Sequence, residues 1–138
     1  DLQNWAITRL MWNPAQSVEE LVRDFTEHYY AAAGPQIFRY VMALEQGPSA
    51  PDLEGERIVR WQGWFEEAER AVANDDVVLR RVKLARLGLD RAAMVLWDRV
   101  QPIAERSFTF DDVASRFRRR YETLAAVARA ARAICASE

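Results

Sequence analysis

Residues 56–73 read ERIVRWQGWFEEAERAVA, and this stretch decides the fold class. Apolar residues recur in it three and four positions apart, which is the spacing that places side chains on one face of an α-helix. These residues are Ile58, Trp61, Phe65, Ala68 and Val72. We therefore predict a strongly amphipathic helix that begins near Asp52 or Glu56 and ends near Ala73.

The helix that follows this stretch is predicted to lie at the centre of the molecule. Asn74, Asp75 and Asp76 supply side-chain acceptors that can cap its start. One apolar face comprises Val78, Val82, Ala85, Leu89, Ala92 and Leu96, and a second apolar side comprises Leu84, Leu87 and Val95. A helix that is apolar on two sides is normally covered by neighbours on both. Pro102 is expected to kink or end this helix.

Two helices are predicted before residue 34. The first spans about Leu2 to Met11 and is stopped by Pro14, which cannot continue a helix. The second begins at Ser17 and runs to about Ala32. Ser17 and Glu20 fit a capping box, in which each side chain accepts a hydrogen bond from the backbone N–H of the other residue.

Two further helices complete the prediction. Gly34 and Pro35 interrupt the backbone and start the third helix, and the last helix follows a second capping box of Thr109 and Asp112. Residues 46–55 are rich in Gly and Pro and predict a long connection. Because no segment alternates like a strand, we predict that residues 1–138 form a single all-α domain, a six-helix bundle with mostly antiparallel neighbours.

Composition limits the partners and cofactors that we expect. The chain of 138 residues carries 19 basic and 21 acidic side chains, and its net charge of -2 provides no general attraction for nucleic acid. No apolar run reaches the roughly 18 residues that a membrane span needs. The single cysteine, Cys135, excludes an intrachain disulfide and a cysteine-rich zinc site. We expect no nucleic acid partner, no membrane partner and no cofactor.

Several carboxylates and one imidazole could in principle bind a metal. His28 shares a helix face with Asp24 and Glu20, but no second histidine is present to complete a bundle metal site, so we expect a solvated polar face. The acidic pairs Asp75–Asp76 and Asp111–Asp112 resemble magnesium-binding pairs. Each pair stands where a helix begins, so we interpret both as caps. No metal site and no catalytic residue is predicted.

The one basic run comprises Arg116, Arg118, Arg119 and Arg120, interleaved with Phe117 and Tyr121. Guanidinium groups beside aromatic rings could suit an anionic ligand. A helix scatters four nearly consecutive residues around its axis, so we expect a solvated face with ion pairs to Glu122, Asp112 and neighbouring helices, and with Phe117 and Tyr121 turned inwards. The role of the run from Arg116 to Arg120 stays open at this level.

Trp12 differs from the other tryptophans. Trp5, Trp61, Trp64 and Trp97 stand at apolar helical positions and are expected in the core, whereas Trp12 lies in the turn before Pro14. One alternative is a hydrophobic staple, in which Trp12 packs on Leu21 or Phe25 of the second helix. The other is an exposed aromatic surface. Under it, the candidate residues for an interface or for stacking on sugar are Trp12, Asn13, Tyr29 and Tyr30.

Roughly the first 100 residues of the sequence resemble a known family. The stretch from Leu10 to Pro14 is followed by Val18, Leu21 and Phe25, then by Tyr29–Tyr30, Ala32 and the segment from Phe38 to Tyr40. This pattern is similar to the start of the C-terminal helical region in a family of large bacterial proteins that are regarded as glycoside hydrolases and catalogued as a domain of unknown function. Their layout is similar to that of α-glucuronidases and β-hexosaminidases. The family carries Gly where this chain has Ala31.

The resemblance implies a non-catalytic role for this chain. In such enzymes a (β/α)8 barrel upstream supplies the catalytic carboxylates, and the helical region packs against that barrel. The chain begins at Asp1, and we expect it to be a C-terminal fragment of a larger protein whose enzyme activity is glycoside hydrolysis. The resemblance further suggests carbohydrate as a ligand and a secreted or periplasmic location. The alternative is a self-standing helical ligand-binding or dimerisation module, such as the effector domain of a regulator.

Overall fold

A computed structural model describes residues 2–45, 54–104 and 107–135 of the chain. These ranges contain helices and turns and no strand, so the predicted all-α bundle is confirmed. The α-helices are α1 (Leu2–Trp12), α2 (Val18–Tyr30), α3 (Gly34–Glu45), α4 (Glu54–Ala71), α5 (Asp76–Ala85), α6 (Leu87–Val95), α7 (Trp97–Ala104) and α8 (Phe110–Cys135). A 3₁₀ helix at Ala31–Ala33 joins α2 to α3.

The six predicted helices correspond to these elements, with the fifth divided into α5, α6 and α7. The interruptions are small, because the amide of Arg86 still donates to the carbonyl of Val82 at 3.1 Å and that of Leu96 to Ala92 at 3.0 Å. Pro102 lies inside α7, which ends two residues later. The predicted connection at residues 46–55 falls mostly outside the described residues, but Gly55 already belongs to α4.

Contacts between α3 and α4 show that they run antiparallel. The rings of Tyr40 and Phe65 lie 4.9 Å apart, and the guanidinium of Arg57 donates to the carbonyl of Ala43 at 3.2 Å. Positions therefore rise along α3 as they fall along α4, as expected for neighbours in a bundle.

The core is built largely from the predicted apolar faces. Ile58, Phe65, Ala68 and Val72 are buried as expected, together with residues of the later helices that include Val82, Leu89, Ala93, Val100 and Val113. The tryptophans expected in the core are only partly buried, and Trp61 and Trp97 pack against its edge. In the part of the chain that the structure describes, no helix has the length and apolarity needed to cross a bilayer.

Two of the three predicted caps are confirmed. The Asp75 carboxylate accepts hydrogen bonds from the amides of Val77 and Val78 at 3.1 and 3.0 Å. Thr109 and Asp112 form the capping box, with the Thr109 amide donating to the Asp112 carboxylate at 2.8 Å and the Asp112 amide donating to the Thr109 hydroxyl at 3.2 Å. These bonds hold the pKa of Asp112 below its usual value. Ser17 stands at the start of α2 without a side-chain capping bond, so the first predicted box is wrong.

The end of α2 is also earlier than predicted. The helix stops at Tyr30, and Ala31 adopts a φ of 47° with a ψ of -123°. Among the described residues, Ala31 is the one non-glycine residue with a positive φ. This backbone conformation favours glycine because a Cβ crowds the neighbouring peptide. The chain therefore keeps a strained alanine at the turn where the similar family carries glycine.

Two glycines allow helices to approach closely. A Cβ on Gly34 would lie 2.9 Å from the carbonyl oxygen of Thr26, so α3 starts in direct contact with the backbone of α2. A Cβ on Gly55 would lie 2.9 Å from the carbonyl carbon of Arg99 and closer still to its oxygen, which fixes α4 against α7. Glycine is required at both positions because the neighbouring atoms are backbone and cannot move aside.

Candidate functional site

The most exposed apolar residues of the N-terminal region lie at the end of α1. Trp12 is 84% exposed and Met11 is 79% exposed, and Ile7 and Val18 are also exposed. We call Met11 and Trp12 together the Trp12 surface. The turn beside them is held by Asn13, whose carbonyl side chain accepts from the amide of Ala15 at 3.2 Å. Asn13 thus shapes the turn that presents Trp12.

The exposure of Trp12 decides between the two predicted arrangements. A hydrophobic staple would bury the indole ring against Leu21 or Phe25, and a ring that is 84% exposed does not do so. Two large apolar side chains this exposed at adjacent positions are typical of a place where another molecule or domain packs. The structure thus favours the alternative in which Trp12 is available for an interface.

Tyr29 and Tyr30 lie at the other end of α2. The Tyr29 ring stacks on Phe25 at 5.0 Å, and the guanidinium carbon of Arg81 lies 4.4 Å from its centroid. Tyr30 meets the edge of Tyr29 at 5.0 Å and packs against the core. Burial raises the pKa of Tyr30, and Tyr29 adds to the effect. Both rings therefore help to hold α2 in the bundle.

The four predicted interface residues do not form one cluster. Trp12 and Asn13 precede the first residue of α2, and Tyr29 and Tyr30 end the helix. With a rise of about 1.5 Å per residue, the 13 residues of α2 separate the two pairs by roughly 20 Å. Any ligand that contacts both pairs must be large.

A groove between α1 and α2 contains one member of the second pair. It has a volume of about 370 Å3 and is lined by Trp5, Arg9, Asp24, Phe25, His28 and Tyr29. The imidazole Nδ1 of His28 lies 2.8 Å from the backbone oxygen of Asp24 and 3.2 Å from its carboxylate. The side chain of His28 is largely exposed, as predicted. The groove thus combines aromatic and hydrogen-bonding groups. Its volume lies near the lower limit of the volumes that small-molecule sites have.

A buried polar cluster that was not predicted from the sequence lies in the centre of the bundle. Its members come from three parts of the fold: α4, the α5–α6 segment and α8. We call it the Arg86 cluster, and it comprises Gln62, Glu69, Arg86, Asp90, Arg116 and Arg120. Gln62, Arg86 and Asp90 are at most 2% exposed. Polar groups this deeply buried are stable only where they satisfy one another.

Arg86 connects the cluster to α4. Its Nε donates to the side-chain oxygen of Gln62 at 2.8 Å, and its Nη2 donates to the same oxygen. Its Nη1 donates to the carboxylate of Glu69 at 3.1 Å, and Glu66 lies 3.8 Å from the same guanidinium. Acceptors on α4 therefore take the place of the water molecules that would hydrate this guanidinium in solvent.

Asp90 connects the cluster to α8. Its Oδ1 accepts from the Nε2 of Gln62 at 3.0 Å and from Arg116 at 3.2 Å. Its Oδ2 lies 3.6 Å from a guanidinium nitrogen of Arg120 without a hydrogen bond. Burial lowers the pKa of Arg120, and the carboxylates of Glu69 and Asp90 act in the opposite direction. Opposite charges at these distances offset part of the cost of removing them from water.

For two arginines of the basic run, the predicted ion pairs to neighbouring helices are confirmed, but the predicted solvation is wrong. Arg116 and Arg120 are 19% and 15% exposed and join the Arg86 cluster, while Arg118 and Arg119 are exposed as expected. Tyr121 is exposed and not turned inwards, although its ring stacks on Phe117 at 6.0 Å. The spacing of four between Arg116 and Arg120 is the sequence signal that places both on one face.

The described residues contain no group of three or more potential metal ligands. The carboxylates of the predicted acidic pairs serve other purposes. Asp75 and Asp112 cap helices, and Asp76 and Asp111 lie in the first turns of α5 and α8, where the helix dipole favours negative charge. The interpretation of both pairs as helix-start residues is thus confirmed.

Comparison with known families gives a match over the N-terminal part of the chain. Residues 1–42 match the model of a family described as a domain of unknown function, DUF4838. The matched range covers α1, α2, the 3₁₀ helix and most of α3, and it includes the Trp12 surface and the groove between α1 and α2. No curated protein and no solved structure matches the chain.

Proposed function

We propose that this chain is a non-catalytic helical module of a carbohydrate-active enzyme, and that it packs against a catalytic (β/α)8 barrel of the same protein through the Trp12 surface. The observation that carries the proposal is the exposure of Trp12 and Met11 within the residues that match the family model. Tryptophan and methionine are enriched at protein interfaces, and tryptophan is among the commonest residues that dominate their binding energy.

The arrangement of the carboxylates supports the non-catalytic half of the proposal. Glycoside hydrolysis normally needs two carboxylates that face each other across the scissile bond. In this chain the buried carboxylate of Asp90 is enclosed by Gln62 and arginines. Asp24 and Glu19 pair with neighbours on their own helix. We therefore assign hydrolysis to the barrel of the parent protein.

Carbohydrate contact is the second part of the proposal. The groove between α1 and α2 offers Trp5, Phe25 and Tyr29 beside the polar groups of Asp24 and His28. A sugar presents apolar ring faces and hydroxyl groups, so such a mixed lining suits it. Of the four residues predicted from the sequence, Tyr29 is the one that lines this groove, while Trp12 serves the contact with the barrel.

A binding experiment tests the interface. The remainder of the parent protein, produced separately, is titrated with this chain by calorimetry, and the titration is repeated with Trp12→Ala and Met11→Ala. Loss of one interface tryptophan is expected to weaken association by about 2 kcal/mol or more, roughly thirtyfold in affinity. Val77→Ala, which changes an exposed apolar residue on α5, serves as the matched control and should bind like the wild type.

Three outcomes would contradict the proposal. The first is a parent gene that encodes no barrel beside the chain. The second is hydrolysis of aryl glycosides by the isolated chain above the buffer rate. The third is concentration-dependent dimerisation in sedimentation that Trp12→Ala abolishes, because it would assign the Trp12 surface to a second copy and favour the alternative of a dimerisation module.

A further inference from the structure

A second exposed surface lies between α5 and α8, away from the Trp12 surface. It is an open groove of about 700 Å3. Its α5 wall includes Leu79, Arg80, Lys83 and Leu84, and its α8 wall includes Arg120 and Leu124. We call it the α5–α8 groove.

A hydrogen bond joins the two walls. The guanidinium of Arg120 donates to the backbone oxygen of Lys83 at 2.6 Å. Elsewhere α8 packs mainly on α6, and the side chains of Leu84 and Leu124 remain 43% and 37% exposed. The groove thus combines a polar link between its walls with partly exposed leucines.

The charge of the groove is mainly positive. Arg80 and Lys83 form no ion pair with any of the residues that the structure describes. Asp76, at the start of α5, is the acidic residue that lines the groove. Arg120, on the α8 wall, is paired with Glu69. Outside the groove, the guanidiniums of Arg86 and Arg116 also have carboxylate partners. Unpaired cations beside exposed leucines favour an occupant that is both apolar and acidic.

The shape of the groove favours a helix as that occupant. The lining residues of α5 repeat at spacings of three and four from Asp76 to Leu84, and on α8 Arg120 and Leu124 are four apart. With a rise of about 1.5 Å per residue, the α5 wall extends over roughly 12 Å, or two helical turns. Two helical walls with such spacing accept the ridge of a third helix.

We propose that the α5–α8 groove binds an acidic amphipathic helix of a partner protein. Its apolar face covers Leu79, Leu84 and Leu124, and its carboxylates meet Arg80 and Lys83. The inference uses other residues than the proposed interface with the barrel. It therefore holds or fails independently of that function.

The test uses a model peptide of about 18 residues, or five helical turns, with leucine on one face and glutamate elsewhere. A labelled peptide is titrated with the full chain by fluorescence anisotropy, at low and at high salt. We expect saturable binding that weakens with salt, because the ion pairs are exposed. A peptide with lysine in place of every glutamate should bind at least tenfold more weakly, because it places like charges opposite Arg80 and Lys83.

Variants locate the binding site. Arg80→Glu and Leu84→Asp should each weaken binding about tenfold, which corresponds to about 1.4 kcal/mol. Both residues are exposed, so the variants should retain the helical circular dichroism of the wild type. Arg91→Glu and Val95→Asp make the same changes at exposed positions of α6, and they should leave the affinity unchanged.

Four results would overturn the inference. They are the absence of saturable binding by the glutamate peptide, equal binding of the lysine peptide, unchanged affinity in the two groove variants, and an equal loss in the α6 variants. Decanoate provides the comparison with a small anionic amphiphile. Binding of decanoate that depends on Arg80 and Leu84, without binding of the peptide, would assign the groove to such a molecule and not to a helix.

Discussion

The carboxylate of Asp90 accepts a hydrogen bond from the side-chain amide of Gln62 at 3.0 Å, and neither side chain has any exposure to solvent. This bond joins α6 to α4 within the Arg86 cluster. Gln62 is neutral, so the cation that donates a hydrogen bond to Asp90 and offsets its charge is the guanidinium of Arg116. The stability of the bundle therefore depends on a polar contact that spans three helices.

The first prediction concerns the two classes of arginine in the basic run. Arg116→Gln removes a charged hydrogen bond to Asp90 and should lower the free energy of unfolding by about 2–3 kcal/mol. Arg118→Gln changes an exposed arginine and should stay within about 0.5 kcal/mol of the wild type. Urea unfolding of the three proteins measures both values. Equal losses would mean that Arg116 does not contribute through Asp90.

The second prediction uses two glycines of α4. Gly55→Ala should destabilise the protein by about 2–3 kcal/mol, because its Cβ would press on the backbone of Arg99. Gly63→Ala, where a Cβ meets nothing, should stabilise it by about 0.5–1 kcal/mol through the higher helix propensity of alanine. Thermal melts of the wild type and the two variants give the order of their stabilities. A stabilising Gly55→Ala would contradict the close packing of α4 on α7.

The third prediction concerns the strained turn after α2. Ala31→Gly should stabilise the protein by about 1 kcal/mol. Glycine adopts a positive φ without steric strain, and the strain that is relieved exceeds the extra conformational entropy that glycine loses on folding. Ala32→Gly, one residue later, should cost about 0.5–1 kcal/mol, since it gains flexibility and relieves no strain. Denaturant titration distinguishes them. A destabilising Ala31→Gly would show that the turn is not strained.

The fourth prediction concerns alkaline pH. Burial raises the pKa of Tyr30 and of Tyr40 above the usual 10.0. As pH rises past 10, these tyrosines lose their protons in the unfolded chain before they lose them in the folded protein. The free energy of unfolding should therefore be constant below pH 10 and should fall between pH 10 and the higher pKa values of the folded state. Unfolding followed across this range should be less pH-dependent in the Tyr30→Phe, Tyr40→Phe double variant. Tyr121→Phe, at an exposed ring, should keep the wild-type profile.

The fifth prediction separates Trp12 from the core. Trp12→Ala should cost the isolated chain well under 3 kcal/mol, because the ring is exposed. Phe65→Ala, which empties a fully buried site, should cost about 3–5 kcal/mol. The two variants are compared in the same denaturant experiment. A loss above about 3 kcal/mol for Trp12→Ala would remove this residue from the interface.

The sequence by itself determined the fold class, the six helical regions and two of the caps. Local patterns carry this information, because the spacing of Ile58, Phe65, Ala68 and Val72 defines a helix face wherever the helix packs. The spacing of Thr109 and Asp112 likewise defines a capping box from neighbours in the chain.

Only the tertiary structure decided which polar residues are buried and which aromatic residues are exposed. Arg86 and Asp90 of the α5–α6 segment and Arg116 of α8 have ordinary surface chemistry, and they are buried because α8 packs on that segment and brings their charges together. Trp12 has core chemistry and stays exposed, because at the end of α1 no described residue packs over most of its ring. Burial depends on what packs against a side chain, and those contacts arise between segments far apart in the sequence.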